Sequence, residues 1–451
     1  MRRLMLCAVL SLAACDRTPS PPPPAAAVET AAAVATQKLS FDEAGELARE
    51  RRQPLLVEFH APWCYSCYYM ATHVMTGPQW TAVHDRAVVV EVDADAPQGA
   101  ALKARYGIRA LPSYLVLDAE GDEIGRILGE QTREAFYATL DEMLARGSDL
   151  DALAQAADGA DAAAVAAARQ LLASWHARYD AADALAWHAS RDDDVRAALD
   201  ADPAAAGWLA RLRFLAAAQG GDAEACLQAG EAALAGDLGC ARAYELSRYL
   251  GCAERQAPSR ERLLVQREAM AQLVEQGAFG EARCADERSV VLTMTQLQSA
   301  LGDTEAQAAL LQRAIADVER RLGGALDRDR NLADNLRVYV EQLARLTDNY
   351  TALDALMPAL IDAWPQDYVY AFRHGRSLLA RGEPAAALPF LAQAAQHAYG
   401  VNRLQVAEQR VRALLALDRE DEARRVVGAT LKANGPWFPE QVAALKALLN
   451  S

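Results

Sequence analysis

The feature that most constrains this chain is a short apolar run, Leu55–Phe59, that leads into Trp63-Cys64-Tyr65-Ser66-Cys67 and then into a helical stretch. A strand that delivers a cysteine to a helix N-terminus sets up thiol chemistry. The terminus supplies partial positive charge and free N–H groups, which favour the thiolate. A second thiol three residues on lies one turn away, close enough to attack a mixed disulfide formed by the first. Zinc would need two further ligands at matching spacing, and only His60 and His73 are near. A purely structural bridge across two intervening residues closes almost no loop and adds little stability. The residues therefore read as a redox couple, with Trp63 shielding the site and offering a flat surface to a bound peptide. Pro112 downstream has no N–H, whereas Leu111 before it can still pair with a substrate strand.

The pattern around the couple alternates strand and helix. Ser40 and Glu43 form a capping box, and Pro54 stops the first helix. Ala87–Asp95 reads as a second strand, and the segment from Ser113 to Leu128 as two strands turning at Glu120-Gly121. Thr132 caps a closing helix. The implied architecture is a mixed sheet with helices on both faces.

The "WCxxC" after the first central strand and the "RALPSY" before the hairpin resemble thioredoxin-fold proteins over residues 38–147. The branch most similar includes the periplasmic C-terminal domain of the transmembrane reductant carrier. The resemblance implies that Cys64 is the exposed attacking thiol, Cys67 the buried resolving thiol, and Pro112 a cis-proline beside them. It places Glu58 where many members carry a buried carboxylate that helps deprotonate the second cysteine. Tyr65-Ser66 departs from the usual Gly-Pro, and His60 stands where tryptophan is common. His60 is either a tuning group or a packing residue; His73 and His84 read as surface residues.

From about Leu150 the strand signal ends. Helices closing in small turns recur at Ala217–Cys226, Val274–Arg283, Ser299–Ala308, Leu379–Leu388 and Leu415–Arg424. The last two spans lie close to the 34-residue period of tetratricopeptide repeats, which residues 150–451 resemble. Residues 151–200 are the least regular, and the last seventeen or so read as a capping helix. Such an array presents a concave surface to a peptide or protein, or serves as a plain scaffold. Trp175, Trp187 and Trp208 read as core. If residues 240–251 form one helix, Cys240 and Cys252 are about 18 Å apart and cannot pair. Up-down topology then favours Cys226–Cys252 and Cys240–Cys284, against the alternative of free buried thiols.

The first fifteen residues have a basic start (Arg2, Arg3), an apolar run from Leu4 to Leu12, and "LAAC" ending at Cys15. This resembles the lipobox of bacterial lipoproteins, which implies a signal peptide over 1–14 and lipid on Cys15. Residues 15–37, with four successive prolines, read as a tether. Asp16 resembles an inner-membrane retention signal. The formal charge of −15 carries no basic cluster and excludes a nucleic-acid partner.

The expected whole is an α/β thioredoxin fold followed by an all-α, tetratricopeptide-like array, lipid-anchored on the periplasmic side of a bacterial membrane. It would act as a thiol–disulfide oxidoreductase, reductase or isomerase before oxidase, on client proteins with disulfides or thiols. A membrane donor would supply electrons, and no cofactor or metal is called for. The rival is a chaperone-like or assembly-scaffold binding protein, similar in layout to the chaperedoxins.

Overall fold

The computed structural model describes residues 39–449; Cys15 and the residues around it lie outside the described part. The N-terminal quarter of the described residues is a head built on one sheet. Helix α1 (Phe41–Arg51) starts at the expected capping box, with Ser40 accepting from the Glu43 N–H and the Glu43 carboxylate accepting from Ser40. Strand β1 (Leu55–His60) follows, then α2 (Tyr65–Tyr69), a π-helical turn (Met70–Val74), α3 (Gly77–Arg86), β2 (Val88–Asp93) and α4 (Pro97–Arg105). Strands β3 (Ser113–Leu117) and β4 (Glu123–Leu128) form the hairpin, and α5 (Arg133–Arg146) closes the head behind the Thr132 cap. The sequence reading assigns no element to Gly77–Arg86. The structure makes it a helix, started by Pro78 in its first turn and held by buried Val83.

The sheet order is β2-β1-β3-β4, with β1 parallel to β2 and the other pairs antiparallel. The two central strands are buried on both faces, which is why "LLVEF" and "SYLVL" are unbroken apolar runs rather than alternating ones. Side-chain parity sorts β1. Leu55, Val57 and Phe59 join Phe41, Ala44 and Leu102 on one face, while Leu56 joins Met70, Tyr114, Phe136 and Leu140 on the other. Glu58 shares the parity of Leu56, so the strand aims it toward the face that α2 covers.

Every regular element described beyond Leu150 is helical. The less regular part holds α6 (Leu150–Ala156), α7 (Ala162–Arg178), α8 (Ala181–Ala189) and α9 (Asp193–Ala201). The array continues with α10 (Pro203–Gly220), α11 (Ala223–Leu234), α12 (Arg242–Ala253), α13 (Arg260–Leu273), α14 (Glu287–Ala300) and α15 (Thr304–Leu322). It ends with α16 (Arg330–Thr347), α17 (Thr351–Ala363), α18 (Tyr368–Ala380), α19 (Pro384–His397), α20 (Gly400–Leu415), α21 (Glu420–Asn434) and α22 (Pro439–Ala447). Successive helices pack as neighbours through small residues. A Cβ on Gly375 of α18 would come within 2.6 Å of Leu391 on α19, so that crossing requires glycine. Helix α22 closes the stack by burying Leu445 with Val411, Leu414 and Val427. Among the described residues, no helix is long and apolar enough to cross a membrane.

One expected helix start is absent. Residues after Val274 form a π-helical turn (Val274–Ala278) and an irregular loop, and α14 begins only at Glu287. The Cys284 N–H bonds Gly277 O at 2.8 Å, and its sulfur is bridged to Cys240, which pins the loop instead of letting it helix. The second bridge joins Cys226 to Cys252, so both pairings are those the topology argument favours. Replacing Cys240 and Cys284 together by serine is expected to lower the free energy of unfolding by about 2–4 kcal/mol. The denaturant midpoint of the double variant checks this.

Candidate functional site

Cys64 occupies the N-cap of α2, and the Cys67 N–H points at its sulfur across 3.1 Å. The two cysteines are joined, with Cα atoms 5.2 Å apart. The Leu111–Pro112 peptide bond is cis, and Leu111 packs on the small cluster of Ala61, Cys64 and Cys67. Glu58 is buried and lines one cavity of about 260 Å³ together with His60, Cys64, Cys67 and Glu91. Trp63 is 39% exposed beside Cys64, its indole N–H donating to Asp95 at 2.7 Å. The residues singled out around the couple therefore meet in one place. Cys15 is the exception, lying outside the described residues.

One expectation is overturned. The resemblance makes Cys64 the exposed thiol, yet it is 6% exposed and Cys67 5%. The array packs over this region: its helix α16 contacts α2, and its Arg330 lines the cysteine cavity.

The two residues between the cysteines are the anchor of this docking. The Tyr65 ring is buried and stacks on Tyr370 of α18 with centroids 5.4 Å apart. Its hydroxyl donates to Asp367 at 2.7 Å, and its carbonyl accepts from the Asn331 side chain at 3.2 Å. Arg330 and Arg373 lie over the ring at 5.5 and 5.4 Å. Ser66 Oγ accepts from Arg288 at 3.2 Å. On the other side of the couple, Asp95 accepts from Asn402 as well as Trp63, and the Val401 N–H reaches Asp95 O. Gly400 permits that approach: its φ is +53°, and a Cβ there would sit 2.2 Å from Asp95 O. Trp63, Tyr65 and Ser66 are thus each held, directly or through one residue, by the array.

Charge is buried along this seam. Burial alone would raise the Asp334 carboxyl, but Arg337, Arg373 and Arg288 reverse that and hold it below its ordinary range. Glu130, beside Ser66, behaves oppositely. Burial and the neighbouring Asp286 push it up to about 7 against Arg288, Ser66 and Asn331, which favour its ionised form. His73, expected as a plain surface residue, is half exposed but pairs with Asp329 at the start of α16 at 3.1 Å. That hydrogen bond raises its pKa against the opposing effect of burial.

Sequence reading missed Glu130, Asn331 and Asp334. A signal exists in Asn331, Asp334 and Asn335, which repeat at three- and four-residue spacing along a helix face and are all buried. Trp208, read as core, is only half buried and forms part of a cleft wall.

Both titrations act in one direction. Between the ordinary carboxyl value of 4.5 and about 7, folded Glu130 holds a proton that the unfolded chain has released, so stability falls as pH rises through that window. His73, with its folded value raised above 6.5, contributes fully below 6.5 and loses its contribution as pH climbs through the folded value. Glu130 alone is expected to lower the unfolding free energy, read from thermal midpoints, by up to about 3 kcal/mol between pH 5 and pH 8, against the opposite trend of His176, His188 and His374, whose values burial lowers. A Glu130→Gln variant should flatten that slope.

Residues 41–144 match the family model of a thioredoxin-like domain. Over 102 residues the chain is 30% identical to the thiol:disulfide interchange protein DsbD of Cronobacter sakazakii, covering 22% of this chain and 18% of that one. The chain thus spans less than a fifth of that relative's length. A solved thioredoxin from Thermus thermophilus aligns with 24% of this chain and 86% of its own, at 29% identity and a TM-score of 0.23. A tetratricopeptide repeat protein from Parabacteroides merdae aligns with 53% of this chain and 96% of its own, at 14% identity and a TM-score of 0.23. The head is a thioredoxin-like redox domain carrying the Cys64–Cys67 pair.

Proposed function

We propose that this chain is a thiol–disulfide oxidoreductase acting on exported proteins, with Cys64 as attacking and Cys67 as resolving thiol. The observation that carries the reading is the Cys64 sulfur at the N-cap of α2, with the Cys67 N–H aimed at it beside a cis-proline. In the reduced chain the Cys64 thiolate attacks one sulfur of a client disulfide. That S–S bond breaks, a client thiolate leaves, and a mixed disulfide remains. The Cys67 thiolate then attacks the Cys64 sulfur, releases the second client thiolate and leaves the pair oxidised, two electrons having passed to the client. Glu58, in the same cavity as both sulfurs, accepts the Cys67 proton, and the Leu111 backbone holds the client strand. The direction is reduction or isomerisation, on the similarity to the interchange protein; a membrane donor restores the dithiol. Cys15 anchors the chain by lipid on the periplasmic face, with Asp16 favouring the inner membrane.

A second reading has its own observation. Both sulfurs are buried under the array, as suits a chaperone-like or scaffold protein with little exchange activity. Insulin-disulfide reduction by the full chain, with trapping of mixed disulfides by a Cys67→Ala variant, separates the two. Covalent client adducts and turnover are expected. An inactive chain that traps nothing, with a Cys64→Ala variant that still suppresses aggregation of unfolding proteins, would establish the second reading instead.

A further inference from the structure

Beside the redox helix lies a cleft of about 580 Å³ with walls from both halves of the chain. Its size falls within the range of ligand-binding pockets. The head contributes Ser66, Leu111, Ile127 and Met143; the array contributes Trp208 of α10 and Tyr244 of α12. Tyr244 is 45% exposed, unusual for a large apolar ring, and its hydroxyl is held by Asp286 at 2.8 Å. The Arg211 guanidinium backs Trp208, 4.2 Å from the ring centre.

Three of the arginines in this wall are paired with carboxylates. Arg126 forks onto Glu123 at 2.7–2.8 Å, and Arg211 and Arg248 both donate to buried Glu245. The Arg146 guanidinium bonds Gln170 and the Ile124 carbonyl. What the wall offers a ligand is mainly apolar and aromatic surface, with one stretch of free backbone. Leu111 lies outside β3, and its N–H and C=O make no main-chain hydrogen bond among the described residues. Free backbone groups of that kind pair with an extended chain, as in strand addition.

We infer that this cleft binds an extended client segment whose cysteine is flanked by apolar or aromatic side chains, and that Trp208 and Tyr244 of the array select those flanks. The inference rests on the oxidoreductase reading and deepens it by assigning client choice to α10 and α12. The Leu111 backbone sets the strand; the array reads what stands beside the reactive sulfur. A wall of ring faces distinguishes flanking residues by the area they bury.

The test uses the reduced full chain and ten-residue peptides whose single cysteine carries a thionitrobenzoate group. The Cys64 thiolate attacks the peptide sulfur and releases the coloured thiolate. Peptides flanked by leucine and phenylalanine are expected to react about tenfold faster, at subsaturating concentration, than those flanked by glycine and serine or by glutamate. Trp208→Ala and Tyr244→Ala should each shrink that ratio to below about threefold. Tyr244 is exposed enough that its variant keeps the core intact. In parallel, fluorescence anisotropy follows binding of the apolar peptide with serine in place of cysteine. Equal rates for all peptides, with no binding of the serine analogue, would overturn the cleft while leaving the oxidoreductase standing. Flank-dependent binding without any released thiolate would keep the cleft and overturn the oxidoreductase. Neither rate nor binding would overturn both.

Discussion

Exchanging Tyr65 for alanine is expected to destabilise the folded chain by about 3–5 kcal/mol and to open the redox couple to solvent. The substitution removes a fully packed ring from between Tyr370 and the guanidinium groups of Arg330 and Arg373. It also takes a donor from buried Asp367, which keeps only Arg330 at 2.5 Å and its contact with the Val369 N–H. Tyr65→Phe separates the two contributions. It retains the stack and should cost only the hydroxyl's bond to a charged partner, about 1.5–3 kcal/mol. Denaturant unfolding reads the stability, and the alkylation rate of Cys64 in the reduced chain reads the exposure. A Tyr65→Ala chain with the parent's midpoint and the parent's alkylation rate would show that the ring is not what holds head and array together.

Cys64→Ser is expected to lower the rate of disulfide reduction by about a thousandfold or more, since serine cannot form the mixed disulfide. Of the other described cysteines, Cys226, Cys252, Cys240 and Cys284 are committed in pairs and offer no substitute. Cys67→Ser should behave differently, completing the first attack and stopping with the client attached. A Cys64→Ser chain within tenfold of the parent would place the attack on another sulfur.

Much of the head was legible because its signals are local. A capping box spans four residues, an unbroken apolar run marks a central strand, and a cysteine pair at a strand–helix junction declares its own chemistry. The two bridges of the array were also within reach, because helix length and alternation restrict which ends can meet. The docking of array onto head was not. Tyr65 meets a carboxylate 302 residues away, and Ser66 an arginine 222 residues away, and no single-sequence pattern links such positions. The buried state of Cys64, in a cavity that Arg330 of the array helps to line, was misread as exposure. The same holds for Glu130: a lone glutamate after a glycine carries no mark of burial until Asn331 and Arg288 are brought to it. Only the polar stripe Asn331, Asp334, Asn335, out of place on a helix of this burial, hinted that the array had a polar surface to match.

The grip of the array on Tyr65 and Ser66 bears on how the couple's reduction potential should be measured. In a thioredoxin-like domain cut out at residue 147, Tyr65 would lose its stack and Ser66 its arginine, and the Glu130 carboxyl would meet water and ionise. Each change alters the electrostatic surroundings of the two sulfurs, so the excised domain and the intact chain are two different electrodes. Their difference in potential would report, in millivolts, how strongly the helices behind the head govern the chemistry in front of it.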